Sequence, residues 1–302
     1  MKVIDLFAGI GGLSLGFEKA GFTIEKAFDN WDYSINIYNN NFKHKCIKLD
    51  LAAVDDYSVF GNPDIIIGGP PCQDYSSAGK RDENGGRATL TVEFAKIVAN
   101  VLPKYFVMEN VALIEKSKTL PLALEIFKKA GYGLTKIVLN ASLCGVPQDR
   151  KRFFMIGVLG GKDNELLELL NSNQSEKPMT VRNYFGDTLG TEFYYRHPRS
   201  YARRAIFSID EPSPTIRGVN RPIPKSYKVH PNDACKDLTK VRALTTIERS
   251  QIQTFPRSFV LTGTKADIEQ AIGNAVPVNL ASYVASCLLK YIKEHDGKET
   301  KN

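Results

Sequence analysis

The sequence has too few cysteines and histidines, too widely scattered, to build a metal centre or a disulfide framework. Five cysteines at 46, 72, 144, 235 and 287 are an odd number, none stands in Cys-x-x-Cys spacing and none clusters with the four histidines, so no metal is expected. No run approaches the roughly 18 uninterrupted apolar residues of a membrane span. The chain opens on a strand-like run rather than a charged and then apolar leader, and the expectation is a cytoplasmic protein with no membrane partner. Tryptophan occurs once, at position 31. An excess of either charge is also missing from most of the chain. Residues 1–176 hold 20 Lys and Arg against 21 Asp and Glu, and residues 258–302 hold 5 against 5, whereas residues 177–257 hold 15 against 7. The net charge of +7 therefore comes from one segment. It carries Arg196, Arg199, Arg203, Arg204, Arg217 and Arg221 among Tyr194, Tyr195, Tyr201 and Phe207, a composition suited to tracking phosphates. The plainer alternative is a solvated basic face.

A chain of 302 residues, 43% hydrophobic, can bury a large core, with room for one large domain and a smaller one. Its first half alternates strand and helix patterns. Lys2-Val-Ile-Asp-Leu-Phe7 reads as a buried strand, followed by Ala8-Gly9-Ile10-Gly11-Gly12 and an amphipathic run ending at Gly21. Such a glycine turn lets a ligand approach backbone N–H groups closely, although packing alone also explains many of them. Residues 22–28 read as a second strand leading to Asp29, Asn30 and Trp31, about 20 residues past the glycines, where a ribose-binding group is expected. Trp31 can stack on an adenine or plug the adjacent core. Residues 45–49 lead to Asp50. Pro63-Asp-Ile-Ile-Ile67 is the clearest buried strand and delivers Gly68-Gly69-Pro70-Pro71-Cys72-Gln73, and residues 104–108 deliver Glu109 and Asn110. In a parallel sheet the ligand crevice lies outside the carboxyl ends of the strands. These groups therefore converge on one sheet edge. Cys72, on a stiff turn, is the candidate nucleophile, against the alternative of a packed thiol. The polar stretch 74–87 is too long for a routine connector and reads as a lid or as an idle loop.

Residues 134–140 and 152–159 read as two more strands flanking Cys144-Gly-Val-Pro-Gln-Asp-Arg150. Beyond residue 160 the alternation fades. Residues 166–170 suggest a short helix and 171–177 a polar linker. Residues 179–240, rich in Pro, Tyr and Arg, lack a sustained period. Helical character returns at 245–253 and at 279–292, where Leu280, Tyr283, Val284, Cys287, Leu288, Tyr291 and Ile292 mark one apolar face.

Six blocks together carry a family resemblance: Asp5-Leu-Phe-Ala-Gly-Ile-Gly-Gly12, Gly69-Pro-Pro-Cys-Gln73, Glu109-Asn-Val111, Gln148-Asp-Arg-Lys-Arg152, Arg242-Ala-Leu-Thr245 with Glu248, Gln251, Phe255 and Pro256 behind it, and Gly273-Asn-Ala-Val-Pro277. In this order and spacing the chain resembles bacterial DNA (cytosine-5) methyltransferases of the restriction–modification type. The resemblance implies an α/β fold, a doubly wound, mostly parallel, Rossmann-like sheet that binds S-adenosyl-L-methionine, with a smaller irregular target recognition domain. Residues 1–176 would form the catalytic and cofactor-binding domain, 177–257 the recognition domain, and 258–302 a segment returning to the catalytic domain. It further implies DNA (cytosine-5-)-methyltransferase activity on double-stranded DNA, S-adenosyl-L-homocysteine as product, a restriction endonuclease as functional partner, and a monomer.

Residue by residue, the resemblance makes Cys72 the nucleophile toward cytosine C6, Glu109 the proton donor to N3, and Arg152 and Arg150 the groups that brace the base and Glu109. An acid working near neutral pH needs a raised carboxyl pKa, which burial would supply. Phe7, Gly9, Gly11, Trp31, Asp50, Leu90 and Asn274 would line the cofactor. The family's ribose-binding glutamate falls on Asn30, so either Asp29 or Asn30 grips the ribose, and its Gly-Thr-Leu element is Ala88-Thr89-Leu90. Gln73, Ser76, Arg203, Arg204, Thr215, Arg217 and Arg221 would meet DNA, whose target base must be flipped out of the stack. Three alternatives remain at this point: a tRNA cytosine-5 methyltransferase of the same fold, a nicotinamide-dependent redox enzyme, and a catalytically dead DNA-binding protein. Gly9, Gly11 and Gly12 do not make the Gly-x-Gly-x-x-Gly of the second, and Cys72, Glu109 and both arginines speak against the third.

Overall fold

A computed structural model describes residues 1–71, 90–200 and 202–299. In chain order the first elements are β1 (Lys2–Leu6), α1 (Gly12–Lys19), β2 (Thr23–Asp29), α2 (Asp32–Asn41), β3 (Cys46–Lys48) and β4 (Ile65–Gly68). Then come α3 (Leu90–Val101), β5 (Tyr105–Val111), α4 (Thr119–Lys129), β6 (Tyr132–Asn140), β7 (Gln148–Asp149) and β8 (Lys151–Leu159). The remainder are α5 (Leu167–Ser172), α6 (Val181–Phe185), β9 (Phe193–Tyr195), β10 (Ile206–Ser208), β11 (Ser213–Pro214), β12 (Val241–Ala243), α7 (Thr246–Ile252), α8 (Lys265–Asn274) and α9 (Val278–Glu299).

Two compact units divide the chain. The first comprises Met1–Leu139, Lys151–Gln174 and Ala281–Asn302, the second Asn140–Arg150 and Ser175–Leu280. Composition suggests cuts at 176 and 257; the second unit also takes in 140–150 and 258–280.

A seven-stranded sheet in the order β3-β2-β1-β4-β5-β8-β6 forms the first unit. β3, β2, β1, β4 and β5 run parallel, and β8 is antiparallel to β5. Strand order reverses between β1 and β4, which makes their carboxyl ends the switch point where such sheets bind ligands. The central strands form because their side chains are apolar on both faces, as a sheet covered by helices requires: Ile65, Ile66, Ile67, Phe106, Val107 and Met108 are all at 0% exposure. Phe106 stacks on Phe127 of α4 at 4.2 Å and meets Tyr132 edge-on at 5.1 Å. Gly157 of β8 leaves room for that ring, since a Cβ there would stand 1.9 Å from it.

Each of the strands expected from sequence in this unit is present. Helices α2, α4 and α8 are not evident in the pattern. α2 is rich in asparagine, a poor helix former, and burying Ser34, Ile37 and Tyr38 holds it in place. α4 carries Pro121 within its first turn, where a missing N–H costs no helical bond. The stretch Lys265–His295 is long and apolar enough by composition to cross a membrane, yet Ala281, Val284, Ala285 and Leu288 of α9 are fully buried in the core.

The second unit is built from short pieces, as its lack of period suggests. A three-stranded sheet runs β10-β9-β12, and β11 pairs with β7 through Ser213↔Gln148 and Pro214↔Asp149. Tyr195, Ala205, Ile206 and Val241 form its small core. α6 is held by a capping box between Thr180 and Asn183, and α7 by one between Thr245 and Glu248.

Candidate active site

The glycine turn after β1 is stapled to the end of β2 by one carboxylate. Asp29 accepts the Gly9 N–H at Oδ2 and the Trp31 N–H at Oδ1, both at 2.8 Å. Burial pushes the Asp29 pKa up, and these N–H groups pull it back. Phe7 adopts φ 58°, a left-handed conformation that costs a non-glycine residue energy and marks a constrained turn. Gly9 and Gly11 follow at φ 56° and 88°. At Gly11 a Cβ would lie 2.4 Å from the Phe42 ring and 2.9 Å from Tyr38, whereas Gly9 faces open space. A side chain is thus excluded at Gly11 by packing, while Gly9 leaves its backbone accessible.

Beneath the turn Asp5 is fully buried, and burial raises its pKa to about 7. Ser14 donates to Asp5 Oδ2 at 2.6 Å, Tyr38 donates to Ser14 at 2.7 Å, and His44 Nε2 stands 2.6 Å from the same phenol oxygen. Asp5 Oδ1 has no hydrogen-bond partner among the described residues. Sequence reasoning missed this chain; its one signal was an acid within a buried strand.

Around the turn Asn30 and Asp50 are exposed and Trp31 is half-buried. Asp50 Oδ1 caps the next turn by accepting the Ala52 N–H at 3.0 Å. Leu90, the first residue of α3, is 8% exposed. An amide, an indole face and a carboxylate are the groups that ribose, adenine and an exocyclic amine call for, and Gly9 has no side chain to hinder a close approach. The residues present therefore fit S-adenosyl-L-methionine.

The second cluster stands at the end of β5. Arg152 pairs across the ladder with Val111, and Glu109 with Phe154, which makes Arg152 and Glu109 diagonal neighbours on one face, within reach of long side chains. Arg152 Nε lies 3.0 Å from Glu109 Oε1. Arg152 Nη1 donates to the Lys151 carbonyl at 2.8 Å. Burial lowers the Arg152 pKa, opposed by the Glu109 charge. The other carboxylate oxygen, Oε2, faces Gly69, where a Cβ would come within 3.2 Å. Asn110 Nδ2 donates to the Pro70 carbonyl at 2.9 Å, tying β5 to the Gly69-Pro70-Pro71 run. Cys72, Gln73, Ser76 and the stretch 74–87 lie outside the described residues.

At Arg150 the structure differs from the expectation. The resemblance sets Arg150 beside Arg152 to brace the base and Glu109, but the strand breaks between β7 and β8 at Arg150. Its guanidinium, in a residue only 1% exposed, donates to the carbonyls of Ile216, Gly273 and Ala275 at 2.9, 3.0 and 3.1 Å. Asn274 is exposed, and its Oδ1 accepts from Gln270 at 2.9 Å.

Nine arginines of the second unit fall into two sets. Arg182 pairs with Asp210 and Glu192, Arg204 with Glu211, Arg242 with Glu248 and Arg249 with Glu269. Arg204 also covers the Phe207 ring at 4.3 Å, so its charge serves the unit itself. Among the described residues no carboxylate lies within ion-pair distance of Arg196, Arg199, Arg203, Arg217 or Arg221. Arg196 donates to the Thr215 carbonyl at 2.8 Å and Arg217 to the His197 carbonyl, a reciprocal clasp of two segments. Burial, then the Arg217 and Arg199 charges, push the Arg196 pKa down to about 10. Thr215 Oγ1 donates to the Asp149 carbonyl at 2.8 Å.

Known proteins share both the sequence and the fold. The family described as C-5 cytosine-specific DNA methylase matches residues 1–290. The chain is 59% identical over 299 residues to the Type II methyltransferase M.HindV of Haemophilus influenzae, covering 97% of this chain and 98% of that one. It is 55% identical over 297 residues to the Type II methyltransferase M.HgiDI of Herpetosiphon aurantiacus, covering 97% and 96%. Among solved structures, the S. pombe Dnmt2 methyltransferase superposes with TM-score 0.72 at 18% identity, covering 97% of this chain and 99% of that one. The Entamoeba histolytica methyltransferase EhMeth superposes with TM-score 0.70 at 21% identity, covering 97% and 98%. At such identities the two structures speak to the fold.

Proposed function

The chain belongs to the C-5 cytosine-specific DNA methylase family, and on that footing we propose that it methylates C5 of one flipped-out cytosine in a fixed duplex DNA sequence, as the modifying partner of a restriction endonuclease. The names of its relatives support the restriction–modification setting. The observation that carries the chemistry is the Glu109–Arg152 pair, turned toward Gly69 beside the switch point of the sheet.

C5 of cytosine is a poor nucleophile until aromaticity is broken. Cys72, directly after Pro71, adds its thiolate at C6. Arg152 holds Glu109 in place through Oε1, and the Glu109 carboxyl gives a proton to N3, which relieves the charge driven into the ring. Loss of the C5 proton, departure of the Cys72 thiolate and return of the N3 proton to Glu109 restore the ring and the acid. Bound S-adenosyl-L-methionine supplies the electrophilic methyl group. Phe7, Gly9, Gly11, Trp31, Asp50, Leu90 and Asn274 hold it, and Asn30 takes the ribose because both oxygens of Asp29 are engaged by backbone N–H groups. Arg196, Arg199, Arg203, Arg217 and Arg221, the set without acid partners, meet DNA phosphate and base edges. Arg204 is withdrawn from that set by Glu211. The enzyme acts as a cytoplasmic monomer.

Methyl-labelled donor offered with duplex DNA and with tRNA tests the substrate. Label should enter duplex DNA alone; label in tRNA and none in duplex would overturn the proposal.

A further inference from the structure

One long stretch of the second unit contains no acid. From Pro212 to Asn232 the sequence carries Arg217, Arg221, Lys225 and Lys228 and neither Asp nor Glu. Lys225 and Lys228 are exposed, and among the described residues no carboxylate lies within ion-pair distance of either. Lys236 differs from them. Its ammonium donates to the carbonyls of His230 and Pro231 at 2.7 and 2.6 Å, so its charge serves the loop itself.

Although residues 222–234 form neither helix nor strand, they are tied down throughout. The Tyr227 N–H donates to the Pro224 carbonyl at 2.9 Å and the Asp233 N–H to the His230 carbonyl at 3.0 Å, which closes two turns. Pro222, Pro224 and Pro231 fix their own φ and present no N–H in need of a partner. Ile223 and Tyr227 pack on the small core of Tyr195, Ala205, Ile206 and Val241, where Tyr227 meets Tyr195 edge-on at 5.5 Å. The apolar side chains thus hold the loop to the unit, and the two lysines are left to solvent.

Asp233, only 6% exposed, is the pin. Its Oδ1 accepts the N–H groups of Ala205 and Ile206, at the start of β10, at 2.9 and 3.0 Å. Its Oδ2 accepts the Tyr227 hydroxyl and the His230 N–H at 2.6 and 2.7 Å. One oxygen is therefore given to the strand and the other to the loop, and the four acceptor positions of a carboxylate are filled. Burial raises the Asp233 pKa, and these donors more than reverse that. An asparagine has one carbonyl oxygen and would turn an NH2 toward one of the two donor pairs, so it cannot hold both sides.

We propose that residues 224–233 form a preorganised DNA-contacting loop, in which Lys225 and Lys228 meet backbone phosphates and Asp233 is the positioning residue. This rests on duplex DNA being the substrate. Groups that bind are commonly carried on loops held by a rigid scaffold, and lysines on phosphate fix register and add affinity without reading sequence.

The test is filter binding of a duplex that wild type methylates, over a salt series, with folding of each variant checked by urea unfolding. Replacing Lys225 and Lys228 by Ala should lower the slope of log binding constant against log salt by about 0.9 for each phosphate no longer neutralised. Asp233→Asn removes a negative charge, which by charge alone would tighten binding to DNA. Loosening the loop predicts the opposite: several-fold weaker binding and a lower slope. Combined with the two lysine substitutions, Asp233→Asn should add no more than about twofold, because both changes act through one contact. If Asp233→Asn does not fold, Tyr227→Phe, which removes one donor to Oδ2, should weaken binding in its place. An unchanged slope in the lysine variant, binding by the folded Asp233 or Tyr227 variant as tight as wild type, or additive losses in the combined variant would overturn this proposal alone. Failure of wild type to bind duplex DNA would overturn the substrate reading, and this inference with it.

Discussion

Glu109 and Asp5 are both buried carboxyls at the switch-point end of the sheet, and their surroundings separate them. Glu109 has a guanidinium on one oxygen and Gly69 facing the other; Asp5 accepts from the Ser14 hydroxyl and has no cation paired with it among the described residues, and burial lifts it to about 7. The sign of the consequence follows from which state holds the proton. Below pH of about 4 both folded and unfolded chains carry it on Asp5. Between about 4 and 7 the unfolded chain loses it and the folded chain keeps it, so this residue makes stability fall with rising pH, by at most about 4 kcal/mol. Asp5→Asn, which can still accept from Ser14, should flatten that decline, as read by urea unfolding at pH 5 and pH 8. An unchanged difference between the two pH values would show that Asp5 is ionised in the fold. The position of Glu109 near the end of β5 was legible because a buried strand shows as a continuous apolar run. The two backbone N–H groups that Asp29 takes were not legible, because only the folded turn presents them.

At the scale of elements, buried parallel strands announce themselves as continuous apolar runs, and β1, β2, β4 and β5 were legible for that reason. β7 and β11 were not: two-residue strands leave no period. The basic segment was legible as a charge excess, yet its division was hidden, since Arg182 meets Asp210 from 28 residues away. That division predicts different effects from like substitutions. Replacing Arg199 and Arg221 by Ala should reduce the slope of log binding constant against log salt by about 0.9 for each phosphate that is no longer neutralised. Arg204→Ala should leave that slope unchanged and cost at most about 1 kcal/mol of stability, as expected of a half-exposed ion pair. Filter binding across a salt series reads the slopes; equal slopes for all three variants would contradict the division.

Over the whole molecule, the six sequence blocks were legible as a set, while their distribution over two compact units was not. Gln148, Arg150 and Gly273 belong to the second unit, Arg152 to the first, although Arg150 and Arg152 are separated by one residue. The chain passes from one unit to the other at that point, and composition carries no mark of it. The proposed chemistry depends on a thiolate that opens the ring of one cytosine. The most direct measurement is to sequence duplex DNA for modified bases after incubation with S-adenosyl-L-methionine and either the wild-type protein or Cys72→Ser. Wild type should leave 5-methylcytosine at one cytosine of a fixed sequence and Cys72→Ser none, because a serine hydroxyl stays protonated near neutral pH and adds poorly to C6. Methylation retained by Cys72→Ser, or a methyl group on an exocyclic nitrogen, would contradict covalent activation by this cysteine.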